Sequence, residues 1–151
     1  QKLIKEVKGQ LEYIALCIGP GSFTGLKIGS SFAKGLAASL DIPIVPIDNY
    51  ETFKNDVKIN DKYFLAIYSH KDYAFTCFVD NDIFSEYKCI KINTIKDYPI
   101  FGYGFPENIN IKYNKLIPCS EKTGILSMNK VELYKNKKSD EVNPIYLYVT
   151  N

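Results

Sequence analysis

A chain of 151 residues, 46% hydrophobic and 24% charged, is long enough to bury a core and has neither a fibrous nor a disordered composition. Its formal net charge is only +2, from 19 Lys and Arg against 17 Asp and Glu, which argues against a polyanion-binding surface and against direct RNA binding. No stretch approaches the roughly 20 apolar residues of a membrane span. We therefore predict a soluble, cytoplasmic protein.

The cysteines and the single histidine argue against a metal site. The four cysteines are far apart and form no C-x-x-C pair, and two of them, Cys17 and Cys77, lie in apolar strand patterns. One histidine, His70, without paired ligand spacings makes zinc binding improbable. We predict buried thiols in a reducing compartment and no metal.

The first third of the chain has the pattern of an α/β unit. Residues 1–8 carry apolar side chains at helical spacing, and residues 13–18 are almost continuously apolar, as in a strand covered on both faces. A glycine-rich loop follows at 19–25, and a long helix is predicted from about Thr24 to Leu40.

A second strand and helix complete this βαβα unit. Residues 42–47 read as a strand, which Pro43 and Pro46 restrict to an edge or to a short length. Asp48, with Glu51 three residues later, predicts a helix start with a capping carboxylate.

The remaining chain changes in character and predicts a smaller second lobe. Aromatic and β-branched runs at 63–69, 73–79 and 83–92 are separated by polar turns, which is typical of an antiparallel meander. Further elements are expected at 98–101, at 124–135 as a last helix, and at 145–149 as an extended ending. We divide the chain into a first α/β lobe, residues 1–58, and a second α/β lobe, residues 59–151.

The glycine loop does not match the known phosphate or nucleophile motifs. A P-loop ends in Gly-Lys followed by Ser or Thr, whereas residues 25–27 are Gly-Leu-Lys, and the G-x-G-x-x-G spacing of dinucleotide folds is also missing. Ser22 lacks a G-x-S-x-G frame, and the lone His70 lies in a distant turn, so no Ser–His pair is apparent. We predict no catalytic residue; Ser22 and Thr24 are interpreted as helix caps.

The predicted helix after the loop carries more uncharged surface than one lobe needs. Its residues fall on two neighbouring stripes and a narrow polar face. The small stripe is Gly25, Gly29, Ala33 and Ala37, the large stripe is Ile28, Phe32, Leu36 and Leu40, and the polar face is Lys27, Ser30, Ser31 and Lys34. With Leu26 the uncharged arc reaches roughly 200°, against the ~100° that one core-facing side requires. A second cover is therefore expected, either the opening helix at 1–8 or another molecule.

The loop and helix together resemble the signature of the TsaB (YeaZ) family. The family's G-P-G-S-F-T-G-L-R-I-G pattern stands here as Gly19, Pro20, Gly21, Ser22, Phe23, Thr24, Gly25, Leu26, Lys27, Ile28 and Gly29, with lysine in place of arginine. The resemblance continues at 33–37 and 42–43, and more thinly at 102–104 and 144–147. A match of this length with four glycines is specific.

The resemblance implies the actin-like, sugar-kinase-like fold of two ribonuclease-H-type lobes, a mixed α/β class. The family's Asp-Ala-Arg in the first meander hairpin is replaced by residues 68–70, Tyr-Ser-His, and Tyr148 stands where an arginine is usual. The family also opens with a β-hairpin that carries Asp-Thr-Ser. Nothing corresponding precedes Gln1, so the hairpin of the first lobe is expected to be missing.

The resemblance also implies a function without catalysis. Such proteins are similar to degenerate copies of the catalytic subunit TsaD, and act as scaffolds that bind and activate TsaD, together with the ATPase TsaE, for threonylcarbamoyl transfer to adenosine in tRNA. It implies that tRNA is met only indirectly. We expect no cofactor, apart from weak or shared nucleotide at a subunit boundary, and we leave open whether the chain alone forms a homodimer.

The partner interface is predicted on the long helix. Its residues are Gly25, Gly29, Phe32, Ala33, Leu36, Ala37 and Leu40, with Lys27 and Lys34 as rim contacts or phosphate-facing charges. Three alternatives remain: a nucleotide-binding phosphotransfer enzyme of the same fold, a protease, and a homodimeric interaction module unrelated to tRNA.

Overall fold

A computed structural model describes residues 11–149 of the chain. The helix predicted at residues 1–8 lies outside this range. Strand β1 (Ile14–Cys17) leads through the glycine loop into helix α1 (Phe23–Leu40), and strand β2 (Ile44–Ile47) leads into helix α2 (Asn49–Lys54). The two strands are parallel, with Ile14 opposite Ile44 and Cys17 opposite Ile47. The predicted βαβα unit is confirmed, including a second strand kept short by its prolines.

Asp48 begins α2 as the sequence predicts. Its Oδ1 accepts a hydrogen bond from the backbone N–H of Glu51 at 2.9 Å. The Glu51 side chain does not turn back toward this cap, because its carboxylate is bound by Lys130 Nζ at 2.6 and 2.7 Å. A local helix-capping pattern is therefore used to join two distant parts of the chain.

A second sheet of six strands follows. Strands β3 (Tyr63–His70) and β4 (Tyr73–Asp80) form a hairpin, and β5 (Ile83–Phe84) and β6 (Lys88–Lys91) both pair antiparallel with β4. The predicted meander is confirmed, with its third run divided into two short strands. Strand β7 (Ile100–Tyr103) pairs parallel with β3, and β8 (Asn114–Lys115) pairs parallel with β7.

The predicted last helix is two helices. Helix α3 (Ser120–Met128) starts earlier than expected, and helix α4 (Val131–Tyr134) follows a break at Asn129 and Lys130. Helix α3 packs against β1 and β2 and α4 against β2, so these helices return from the end of the chain to the first sheet. The division into lobes at residues 58 and 59 stays a prediction.

Three groups of buried side chains hold the structure together. The largest lies between α2 and the six-stranded sheet and is centred on Tyr50, Phe53 and Leu65. The second covers the other face of that sheet around Ile95 and Ile100. The third joins α1 to the two-stranded sheet. Within residues 11–149, no helix is both long enough and apolar enough to span a bilayer.

Candidate functional site

The glycine loop needs glycine at its first position. Gly19 has φ +108°, and a Cβ there would lie 2.9 Å from Leu26 Cδ1 and 3.2 Å from the carbonyl oxygen of Ile145. The predicted close approach of backbone is therefore present at this residue. At Gly21 and Gly25 an added Cβ would meet its nearest neighbours at 3.7 and 3.5 Å, which is ordinary contact.

Asn49 fixes the loop against α2. Its backbone N–H donates to the carbonyl oxygen of Gly19 at 2.7 Å, and its Nδ2 donates to the carbonyl oxygen of Pro20 at 2.6 Å. The thiol of Cys17 in turn donates to Asn49 Oδ1 at 2.6 Å. On the opposite side the N–H of Ile145 donates to the carbonyl of Ile18 at 2.8 Å. The loop is held by the protein itself, in accord with a structural turn.

The capping interpretation holds for Ser22. Its Oγ accepts from the backbone N–H of Gly25 at 3.3 Å, which satisfies one free donor of the first helical turn. Thr24 lies inside the first turn and is exposed. Phe23, 56% exposed, packs on Tyr146 with a centroid separation of 5.0 Å, and Lys27 Nζ lies 5.9 Å from the Phe23 ring centroid.

The side of α1 that faces the sheet is made of small residues. Ser30, Ala33 and Ala37 are buried, at 6%, 5% and 1% exposed, and the two alanines pack with Ile44 and Val142. The predicted polar face is thus wrong at Ser30. The small stripe is also divided, because Ala33 and Ala37 are covered by the chain itself and are not available to a partner.

The large residues of α1 point outward. Ile28 and Phe32 are each 66% exposed and Leu40 is 44% exposed, while Leu36 is half-buried. Gly25 and Gly29 are exposed between them, and no described atom lies within 4 Å of a Cβ placed at Gly29. At about 100° per residue these residues share one uncharged arc. This arc, here called the outer face of α1, comprises Gly25, Ile28, Gly29, Phe32, Leu36 and Leu40.

The two lysines of α1 lie beside the outer face and differ in their contacts. Lys34 Nζ donates to the backbone carbonyl oxygen of Asp140 at 3.2 Å, so it ties the helix to the chain's own C-terminal segment. Lys27 is exposed. Their assignment as rim contacts or phosphate-facing charges stays a prediction.

One Ser–His contact escaped the sequence analysis. Ser69 Oγ and His70 Nδ1 are 2.9 Å apart, and the exposed imidazole stacks on Tyr73 at 5.5 Å. The signal was the adjacency of the two residues in the sequence. The two residues are adjacent at the end of β3, and no described carboxylate hydrogen-bonds to the imidazole, so the pair lacks the third group of an activated nucleophile. Within residues 11–149 no three Cys, His, Asp or Glu side chains are grouped as metal ligands.

A buried polar cluster lies behind the loop, where α2 meets the second sheet. Tyr87 donates its hydroxyl to Asp48 Oδ2 at 2.8 Å, and burial raises the pKa of the Asp48 carboxyl above its ordinary value. Tyr50 is fully buried, and its hydroxyl has no hydrogen-bond partner among the described residues. Burial also raises the pKa of the Cys77 thiol to about 11. These groups lie inside the core, away from the outer face of α1.

Comparisons with known proteins give matches to one group. A family model described as "TsaD: tRNA N6-adenosine threonylcarbamoyltransferase" matches residues 1–71. The "tRNA threonylcarbamoyladenosine biosynthesis protein TsaB" of Haemophilus influenzae is 31% identical over 41% of this chain and 33% of its own length. The protein of the same name from Bacillus subtilis is 52% identical over 28% of this chain and 18% of its own. The chain spans about a third or less of these curated relatives.

The fold is shared with solved structures. A Pseudomonas aeruginosa crystal structure described as similar to peptidase YEAZ has a TM-score of 0.67 at 18% identity, covering 91% of this chain and 74% of that one. "YeaZ from Pseudomonas aeruginosa" has a TM-score of 0.63. These similarities and the TsaD model agree with the actin-like α/β fold. Together with the relatives named TsaB, they support the resemblance of this chain to the TsaB (YeaZ) family.

Proposed function

We propose that this chain acts in the biosynthesis of threonylcarbamoyladenosine in tRNA, as a non-catalytic subunit whose outer face of α1 binds a TsaD-type catalytic subunit. The names of the curated relatives support the pathway. TsaE and tRNA would be met through the assembly.

The main support for this interface is that α1 buries small residues and exposes large apolar ones. An ordinary surface helix buries its large apolar residues and exposes its small or polar ones. Here Ala33 and Ala37 face the sheet, whereas Ile28 and Phe32 face outward. Covering one such large side chain is worth about 1.5–3 kcal/mol, and the exposed Gly25 and Gly29 let a partner helix approach closely.

The contacts of the glycine loop support the proposal of a non-catalytic subunit. Ser22 caps α1, and the carbonyl groups of Gly19 and Pro20 are bound by Asn49. Lys27 is the cation nearest in sequence to the loop, and it lies over the Phe23 ring. The loop therefore serves to begin α1 in a fixed orientation.

The experiment is a charge substitution on the outer face. Phe32→Glu should weaken binding to the TsaD-type subunit of the same organism about 10- to 100-fold, because a desolvated aromatic contact is replaced by a carboxylate. Ile83→Glu is the matched control, since Ile83 is 72% exposed on the second sheet. Isothermal titration measures the affinity, and circular dichroism verifies that both variants fold.

If Phe32→Glu and Ile83→Glu bind the TsaD-type subunit with equal affinity, the interface does not lie on the outer face of α1. Failure of the wild-type chain to bind would refute the partner itself. In cells depleted of the protein, threonylcarbamoyladenosine in bulk tRNA should fall and should be restored by the Ile83→Glu variant but not by Phe32→Glu. Unchanged nucleoside levels on depletion would refute the pathway.

Gly29→Leu is a second probe of the same face. No described atom lies near a Cβ at Gly29, so the substitution is compatible with the fold and adds bulk only where a partner helix would lie. Ala33→Arg is unsuitable as an interface probe, because Ala33 is buried against the sheet and the arginine would disrupt folding.

A further inference from the structure

Two cysteines line one cavity between β1 and α3. The cavity has a volume of about 360 Å³, and its wall includes Cys17, the last residue of β1, and Cys119, the residue before α3. Both are half-buried, whereas Cys77 and Cys89 of the second sheet are 0% and 1% exposed. The spacing of the cysteines in the sequence carries no sign of this proximity.

The alternation of side chains along β1 turns Cys17 toward α3. Ile14 and Leu16 pack with α1 on one face of the two-stranded sheet. Successive residues of a strand point to opposite faces, so Ala15 and Cys17 point away from α1. Both of these residues line the cavity in front of α3. The Cys17 side chain therefore lies on the α3 side of the sheet.

A matching row of residues on α3 faces this side of β1. Cys119, Thr123 and Ser127 are spaced by four residues and therefore share one side of the helix. Thr123 is 9% exposed and Ser127 is fully buried. Ser127 Oγ donates to the hydroxyl of Tyr13, the residue before β1, at 3.3 Å. The row from Ser127 back to Cys119 thus lies against the strand.

The two rows run in opposite directions and have nearly the same length. From Ser127 to Cys119 the helix covers about 12 Å. From Tyr13 to Cys17 the strand covers about 13 Å. Ser127 meets Tyr13 at one end of the rows. The two cysteines therefore come level at the other end, where both line the cavity.

We propose that Cys17 and Cys119 form a reversible disulfide when the chain meets a low-molecular-weight disulfide such as oxidised glutathione. A disulfide needs its two Cα atoms within about 7 Å of each other. Cys119 ends the connection at residues 116–119 and precedes the first residue of α3, so it can move into the cavity without unwinding the helix. Disulfides of proteins in a reducing compartment are usually transient and redox-sensing. This modification does not depend on the partner role of α1.

The chemistry is a two-step exchange. Burial raises the pKa of the Cys17 thiol above its ordinary value, so the Cys119 thiol reacts first. Its thiolate attacks one sulfur of oxidised glutathione, which forms a mixed disulfide and releases one glutathione. The Cys17 thiol then attacks the Cys119 sulfur and releases the second glutathione. Both thiol protons end on the two glutathione thiols, so the chain loses two electrons and the glutathione disulfide gains them.

Oxidation also acts on the glycine loop through Asn49. In the reduced chain the Cys17 thiol donates to Asn49 Oδ1 at 2.6 Å. Asn49 Nδ2 donates to the carbonyl oxygen of Pro20, and the backbone N–H of Asn49 donates to that of Gly19. A disulfide sulfur has no hydrogen to donate, so Asn49 loses one of its contacts when the link forms. The cysteine pair therefore connects oxidation to the loop that begins α1.

Peptide mapping tests the link. The full chain is incubated with oxidised glutathione under native conditions, its remaining thiols are blocked, and the digest is analysed by mass spectrometry without reduction. We expect one linked pair of peptides, which contain Cys17 and Cys119, and its loss after treatment with dithiothreitol. Cys77 and Cys89 should remain thiols, because both are buried in the second sheet. If Cys17 and Cys119 stay reduced, or carry only glutathione, the proposal is wrong.

A register control separates pairing from general thiol reactivity. Cys119→Ser combined with Ser120→Cys keeps the number of cysteines but turns the thiol by about 100° around the helix. Ser120 is exposed, so this variant should take up glutathione but lose the link to Cys17. Circular dichroism verifies that the variant folds. Equal linking in this variant and in the wild-type chain would contradict the pairing derived from the two rows.

The effect on the glycine loop has its own measurement. Amide NMR signals of Gly19 and Gly21 should move when the wild-type chain is oxidised, while that of Gly102 in the second sheet should not. Cys17→Ala removes the thiol donor without forming a disulfide, so it should also move the signals of Gly19 and Gly21. Unchanged loop signals in a chain that carries the link would refute the connection through Asn49.

Discussion

Gly102 in β7 is a position where we expect one added methyl group to cost most. Its register partner is Ala66 in β3, and its carbonyl oxygen accepts from the N–H of Leu116 at 2.7 Å. A Cβ built on Gly102 would lie 1.7 Å from the carbonyl oxygen of Ala66. That neighbour is backbone in the middle of the sheet and cannot rotate away.

The cost of Gly102→Ala follows from the separation that it forces. To bring the new Cβ to even 3.0 Å from the Ala66 oxygen, β3 and β7 must move apart by about 1.3 Å at this point. Backbone hydrogen bonds of 2.7–3.0 Å would then exceed the range in which they stabilise. Losing two or three of them, at about 1 kcal/mol each, plus the disturbed packing, gives at least about 3 kcal/mol.

Gly104→Ala is the matched comparison two residues away. Gly104 has φ +86°, and a Cβ there meets the Tyr68 Cβ at an ordinary 3.5 Å. Only the left-handed backbone is then strained, at about 1 kcal/mol. Urea unfolding of both variants, followed by circular dichroism, measures the difference. A Gly102→Ala free energy of unfolding no lower than that of Gly104→Ala would refute the reasoning.

Three further outcomes are expected. Burial raises the pKa of the Asp48 carboxyl in the folded state above its ordinary value of 3.8. The contribution of the protonated carboxyl to stability is therefore full below pH 3.8 and is lost as the pH rises through the folded pKa. Asp48→Asn should flatten this part of the plot of unfolding free energy against pH, measured by urea titration. The Cys77 thiol is fully buried and has a pKa of about 11, so it should resist iodoacetamide at pH 8, while the half-buried Cys119 is alkylated. Mass spectrometry of the native chain after treatment shows which of the two cysteines carries the label. Lys130→Met removes the ion pair with Glu51, so it should release α4 and lower the free energy of unfolding by about 1 kcal/mol. A coupling energy of zero in a double-mutant cycle with Glu51→Gln would exclude this pair as a source of stability.

Local signals accounted for the elements whose causes lie within a few residues. The apolar run before the loop, the glycine requirement at Gly19 and the caps at Ser22 and Asp48 each depend on neighbours in sequence, and each was predicted. The antiparallel meander likewise follows from alternating runs and polar turns.

Features that depend on distant contacts could not be predicted. The last helix was expected to be continuous, but it breaks at Asn129 and Lys130, where the lysine side chain reaches Glu51. The buried side of α1 was also misassigned in part. Periodicity showed how wide the uncharged arc is but not which part of it meets the sheet, and Ser30 lies on the buried side because Ile44 and Val142 supply the bulk there.

The side of α1 that is buried determines both how the helix packs on its sheet and which residues it exposes. The small side chains of Ala33 and Ala37 let α1 lie close to a sheet of only two described strands. Only a narrow side of the helix is therefore buried against that sheet. The large residues Ile28 and Phe32 are then left largely exposed on the outer face. Because such a face is costly in water, its apolar character supports the proposal that another molecule covers it. Substitutions there should change assembly while leaving the free energy of unfolding of the single chain nearly unchanged.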